Sequence, residues 1–162
     1  MRVRWQPAAA LAVVTAMLLG GVAAADDVTF QADNWTAECQ IGGQPRAIDG
    51  DCSVTGVFRD TDADSAAGAF ALLVALNPPA VAIVGRPPPR EARLRIDAGQ
   101  AFGCTGGRYC IFSGADTQEI MRELRRGSLI LVDIATAQHA YRASLSTRGL
   151  QAGLAKIRAE AD

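Results

Sequence analysis

A single lysine and a single histidine stand among 162 residues that carry fifteen arginines. One histidine cannot make a His-Glu-x-x-His metal site, and no serine lies in a Gly-x-Ser-x-Gly elbow. A basic excess is also missing, since 16 basic side chains meet 17 acidic ones for a net charge of −1 and a pI near 5.8. A nucleic-acid-binding surface would need the opposite balance, so no nucleic-acid partner is expected. Aromatics are few, with two Trp, two Tyr and five Phe, and no internal repeat or linker marks a second domain. What is abundant is apolar residue: 49% of the chain against 20% charged, enough to fold around a core.

The longest apolar stretch is at the start. Arg2 and Arg4 precede an almost wholly apolar run from Pro7 to Gly21, and Val22-Ala23-Ala24-Ala25 supplies small residues before Asp26. This is the pattern of a cleaved secretory signal peptide over residues 1–25, too short for a membrane span of about 20 residues and without a stop-transfer flank. Val3 separates the two arginines and the first cysteine is Cys39, so a twin-arginine signal and a lipidated amino-terminal cysteine are both absent. The remaining chain, residues 26–162, reads as one domain. It loses Arg2 and Arg4 and no acid, leaving 14 basic and 17 acidic side chains, a net −3. Its longest apolar run, Ala66 to Leu76, is eleven residues and stops at Asn77-Pro78-Pro79. A protein of the periplasm, the cell surface or the medium, not integral to the membrane, is expected.

All four cysteines, Cys39, Cys52, Cys104 and Cys110, fall in that exported part. An even count in a small exported domain reads as two disulfides, with three pairings open. Cys39 with Cys52 and Cys104 with Cys110 are favoured, because each pair brackets a Gly-rich turn. Zinc knuckles and redox dithiols want two intervening residues, whereas these gaps are twelve and five.

Periodicity then gives the elements. Residues 26–34 read as a short leader. Trp35, Ala37 and Cys39 alternate with Thr36, Glu38 and Gln40, predicting a strand, with Cys52 to Phe58 as its partner. Ala69 to Leu76 and Ala80 to Val84 predict buried strands joined through Asn77-Pro78-Pro79, and Pro87-Pro88-Pro89 a stiff surface link. Ala92 to Asp97 alternates Arg93 and Arg95 with Leu94 and Ile96. Asp116 to Glu119 resembles a capping box opening a helix that ends at Gly127. Ser128 to Ile134 and Tyr141 to Leu145 predict paired strands, and Thr147 to Glu160 a second helix. About seven strands and two helices predict a mainly β, antiparallel domain.

Few residues suggest chemistry. Asp60, Asp62 and Asp64 start a calcium-loop spacing, but Ser65 and Ala71 stand where Gly and Glu are needed, so an acidic turn is the simpler reading. A hydrolytic site would have to use His139 with Ser144, Ser146 or Asp133, and no motif orients them; this small periplasmic enzyme is the alternative reading, and a purely structural envelope protein a third. Two arginine groups stand out: Arg86, Arg90, Arg93 and Arg95, and on the first helix Arg122, Arg125 and Arg126. Guanidinium forks suit carboxylate and phosphate, so these seven are candidates for binding an anionic envelope component or an acidic protein. No catalytic residue, metal or cofactor is expected.

The stretches Asn34-Trp35-Thr36-Ala37-Glu38-Cys39, Phe102-Gly103-Cys104, Leu124-Arg125-Arg126-Gly127 and Ser144 to Leu150 resemble the invasion-associated locus B proteins of Gram-negative bacteria. The resemblance implies an immunoglobulin-like β-sandwich, export, Trp35 as a core anchor and no known catalytic activity. Some members of that family are linked to entry into host cells. Asp60 to Pro89, rich in Ala and Pro, carries no motif of the family.

Overall fold

The computed structural model describes residues 27–40, 52–60 and 68–161. The expected signal peptide over residues 1–25, the expected Gly-rich turn between Cys39 and Cys52 and most of the Asp60–Asp64 acidic run lie outside the described residues.

Eleven strands and two helices are described. In chain order they are β1 (Asp27–Ala32), β2 (Trp35–Gln40), β3 (Cys52–Val57), β4 (Arg59–Asp60), β5 (Ala69–Leu76), β6 (Pro79–Arg86), β7 (Glu91–Ile96), β8 (Ala101–Thr105), β9 (Cys110–Ile111), α1 (Gly114–Leu124), β10 (Leu129–Ala135), β11 (Ala140–Ser146) and α2 (Leu150–Ala161). They form a six-stranded sheet ordered β1-β2-β3-β5-β6-β9 and a five-stranded sheet ordered β4-β11-β10-β7-β8. Every pairing is antiparallel. The mainly β, two-layer architecture is the one expected. The layers hold more strands than the seven of a constant-type immunoglobulin domain.

The core runs between the sheets. Trp35, Gly56, Leu72 and Ile83 lie in register across β2, β3, β5 and β6 and are buried, and Leu145 of β11 meets them from the other layer. Gly56 leaves room for that contact, because a Cβ there would lie 2.5 Å from Leu145 Cδ2 and 2.8 Å from the Trp35 ring. The Trp35 Nε1–H donates to the Ser146 carbonyl at 2.7 Å, so this side chain ties the two layers with packing and a hydrogen bond.

Both disulfides form in the favoured pairing. Cys39 and Cys52 are opposite in the β2–β3 ladder, with Cα atoms 4.1 Å apart. Cys104–Cys110 closes a short loop of sequence yet joins β8 of one sheet to β9 of the other. All four cysteines are in these two bridges and none is free. The bridges place the fold in an oxidising or extracytoplasmic setting.

The inner face of the six-stranded sheet extends past its partner, and the helices cover the remainder. In the next row, Ala37, Val54, Val74 and Val81, the β2 and β3 members lie under α2, where a Cβ added at Gly153 would be in van der Waals contact with Val54 and Ala37. Helix α1 packs on β6 through buried Ile120 and Leu124.

Four expectations change. Residues 27–32 are a strand rather than a leader, paired along the whole of β2. The first helix opens earlier than the Asp116 capping box: Ser113 is the N-cap, its hydroxyl accepting from the Asp116 amide at 3.2 Å. The second helix starts at Leu150 instead of Thr147, because the buried Thr147 hydroxyl donates to the Gly127 carbonyl at 2.6 Å. Gly149 then turns with φ +89, against the Ala32 carbonyl, where a Cβ would collide. The short strands β4, β8 and β9 were not expected at all.

Candidate functional site

The five-stranded sheet shows strict period-two burial, which sets its chemistry. In β7, Ala92, Leu94 and Ile96 are buried while Glu91, Arg93 and Arg95 are exposed. In β10, Ile130, Val132 and Ile134 point inward and Asp133 outward; in β11, Tyr141, Ala143 and Leu145 are buried and Arg142 is exposed. Because successive side chains of a strand point to opposite faces, the register lines the exposed residues into rows across the outer face.

One row runs Gly103, Arg93, Asp133, Arg142. The Arg142 Nε–H donates to Asp133 Oδ1 at 2.9 Å, and Arg93 Nε lies 3.8 Å from Glu91 Oε1. These groups border an open recess of about 420 Å³ with Ala135, Ala140 and Tyr141. The neighbouring row runs Ala101, Arg95, Leu131, Ser144, Arg59. It holds no acid, so Arg95 stands between Ala101 and Leu131 without an opposing carboxylate. Arg59 Nη2 donates to Asn34 Oδ1 at 3.2 Å, and Arg59 and Arg148 border a second recess of about 450 Å³ beside Asp33, Ser144 and Ser146. Exposed ion pairs such as these add little stability, about 0.2–1 kcal/mol. Their effect is to hold guanidinium forks on a flat, solvent-facing sheet.

The seven arginines singled out from the sequence are therefore not gathered in one site. Arg93 and Arg95 share the outer sheet face. Arg86 ends β6 in the other sheet, and Arg90 sits in the proline link, its amide donating to the Ala135 carbonyl at 2.8 Å, beside a recess with Pro87, Pro88 and Gly107. Arg122 pairs with Glu119 at 2.7 Å on α1, Arg125 borders a recess between the helices, and Arg126 is exposed just past α1. Three arginines of the outer face, Arg59, Arg142 and Arg148, were missed. Arg142 was legible in the alternation of β11; Arg59 and Arg148 join only because β4 and the end of β11 come together.

His139, Ser144 and Asp133 are not assembled. His139 closes the β10–β11 turn, its amide donating to Thr136 Oγ1 at 3.1 Å and its carbonyl accepting from the Thr136 amide at 2.8 Å. Its ring lies edge-on to Tyr141 with centroids 6.2 Å apart. Ser144 is five residues further along an extended strand, roughly 16 Å away, and the Asp133 carboxylate is engaged by Arg142. Among the described residues no group of three or more His, Cys, Asp or Glu is placed to hold a metal ion, and no helix is long and apolar enough to cross a membrane.

Set against known proteins, the chain matches no family model, no curated protein and no solved structure. The chemistry of the outer face has to be read from its own residues.

Proposed function

We propose that the chain is an exported, non-enzymatic binding protein of the invasion-associated locus B type, with an immunoglobulin-like sandwich, residing in the periplasm or at the cell surface. It uses the outer face of the five-stranded sheet to hold an anionic component of the envelope. The observation that carries this reading is the row that holds Arg95 and, at its β4 end, Arg59, with no acid among its members, flanked by the row of Arg93 and Arg142 and with Arg148 beside its Arg59 end. In a chain of net charge −1, arginine concentrated on one flat face favours phosphate or carboxylate headgroups, which guanidinium engages in two-point hydrogen bonds. The resemblance to the family and the two disulfides support export.

The test uses the oxidised protein and vesicles of phosphatidylglycerol or phosphatidylcholine in a flotation assay. Binding to phosphatidylglycerol alone, weakening with salt, is the expected result. Each arginine near an anionic surface contributes about 1 kcal/mol, so Arg93→Gln with Arg95→Gln should weaken binding about 30-fold. Equal binding to both lipids, no binding to either, or an unchanged double variant would overturn the reading.

A further inference from the structure

A further recess lies where β5, β6 and the two helices converge. Its volume is about 280 Å³, and its walls are Val74, Leu76, Met121, Leu124, Leu150 and Leu154. Leu76, Met121 and Leu154 are only partly buried, so they extend the core to an open apolar surface. The polar groups at its border are Gln118, Arg125 and Arg158, and among the described residues no acid lines it.

The two arginines here differ from those that a hydrogen bond or ion pair engages elsewhere in the molecule. Arg59, Arg93, Arg122 and Arg142 each meet a side-chain partner. Arg125 caps the C-terminal end of α1 and Arg158 lies in the last turn of α2. Neither guanidinium has a hydrogen-bond or ion-pair partner among the described residues. Two unengaged cations therefore border one apolar hollow with no carboxylate among the described residues that line it.

We propose that this recess binds the acyl chain of a single-chain anionic amphiphile, with the carboxylate or phosphate head held by Arg125 and Arg158. Ligand sites in general combine mostly apolar walls with a few convergent polar groups, and 280 Å³ is near the lower end of their size, suited to one chain rather than two. The charge complementarity selects an anionic head over a neutral one, because the guanidinium forks match carboxylate and phosphate oxygens. This site is separate from the outer sheet face, and its occupancy does not depend on Arg93 or Arg95.

Calorimetric titration of the full oxidised chain with laurate, lauroyl lysophosphatidylglycerol and neutral dodecyl maltoside, all below their micellar concentrations, tests it. Saturable 1:1 binding of at least one anionic probe is expected, at least tenfold tighter than the maltoside; the tighter of laurate and the lysolipid identifies a fatty-acid or a phospholipid source. Arg125→Gln with Arg158→Gln should lower anionic-probe affinity at least tenfold, the scale of a lost charged hydrogen bond, while Arg93→Gln with Arg95→Gln leaves it unchanged. Leu154→Gln, checked for an unchanged melting profile, should weaken all three probes. Equal affinity for the neutral detergent, no anionic binding at all, or an Arg125/Arg158 double variant that binds like the parent would overturn the proposal. So would a concentration-dependent dimer in sedimentation that excludes laurate, which would give the recess to a second copy.

Discussion

The two sheets of this sandwich are built from different sequence patterns and serve different ends. In the six-stranded sheet, β5 buries Leu72 and Val74 on the inner face and Leu73 and Ala75 on the opposite one, and β6 buries Val81, Ala82 and Ile83 in succession. In the five-stranded sheet, β7, β10 and β11 bury every second residue and expose the rest. A strand buried on both faces has no side chain left for recognition, whereas an alternating one holds its exposed groups at fixed spacing over a rigid layer. The chemistry-bearing arginines are accordingly on the second sheet and at the helix ends.

If that division is right, substitutions in the first sheet should cost stability and those on the outer face of the second should cost binding. Trp35→Ala removes the largest buried side chain that bridges the layers and should lower unfolding free energy by about 3–5 kcal/mol in denaturant titration. Removing Cys39–Cys52 by paired serine substitution should cost about 3 kcal/mol and removing Cys104–Cys110 about 2, following the lengths of the loops they close. Calorimetry that ranks them the other way would show that joining the two layers matters more than loop length. Gly56→Ala forces a methyl group into Leu145 and Trp35 and should cost about 1–3 kcal/mol. Asp133→Asn, at the centre of the charged row, should shift stability by no more than about 0.5 kcal/mol, because both it and Arg142 are well exposed; a larger loss on thermal melting would mean that the outer face is structural.

Much of this was legible beforehand. Period-two alternation found β2 and β7, the apolar run Ser128 to Ile134 found β10 with β11 as its neighbour, the Asn77-Pro78-Pro79 break placed the β5–β6 hairpin, and the Gly-rich spacers pointed to the cysteine pairing. The strand β1 was legible but passed over: Val28, Phe30 and Ala32 alternate with Asp27, Thr29 and Gln31, and the pairing with β2 makes that alternation a strand. Ser113 was missed as a helix cap because Asp116, three residues later, also offers a capping side chain, although Ser113-Gly114-Ala115-Asp116 itself has the spacing of a capping box. The arginine face was half visible. Local reading grouped arginines by proximity in sequence, whereas Arg59, Arg95 and the pair Arg142 and Arg148 come from three separate segments.

The sequence by itself determined the class of structure, the compartment chemistry implied by four cysteines, and which side of each regular strand faces the core, because those follow from local periodicity and covalent geometry. The tertiary structure alone decided that Cys104–Cys110 joins the two layers, that Arg125 and Arg158 border one apolar recess, and that His139 and Ser144 stay apart. Those relations are set by which strands pair and where each helix docks, and strand order depends on contacts between residues far apart in the chain that no local pattern encodes.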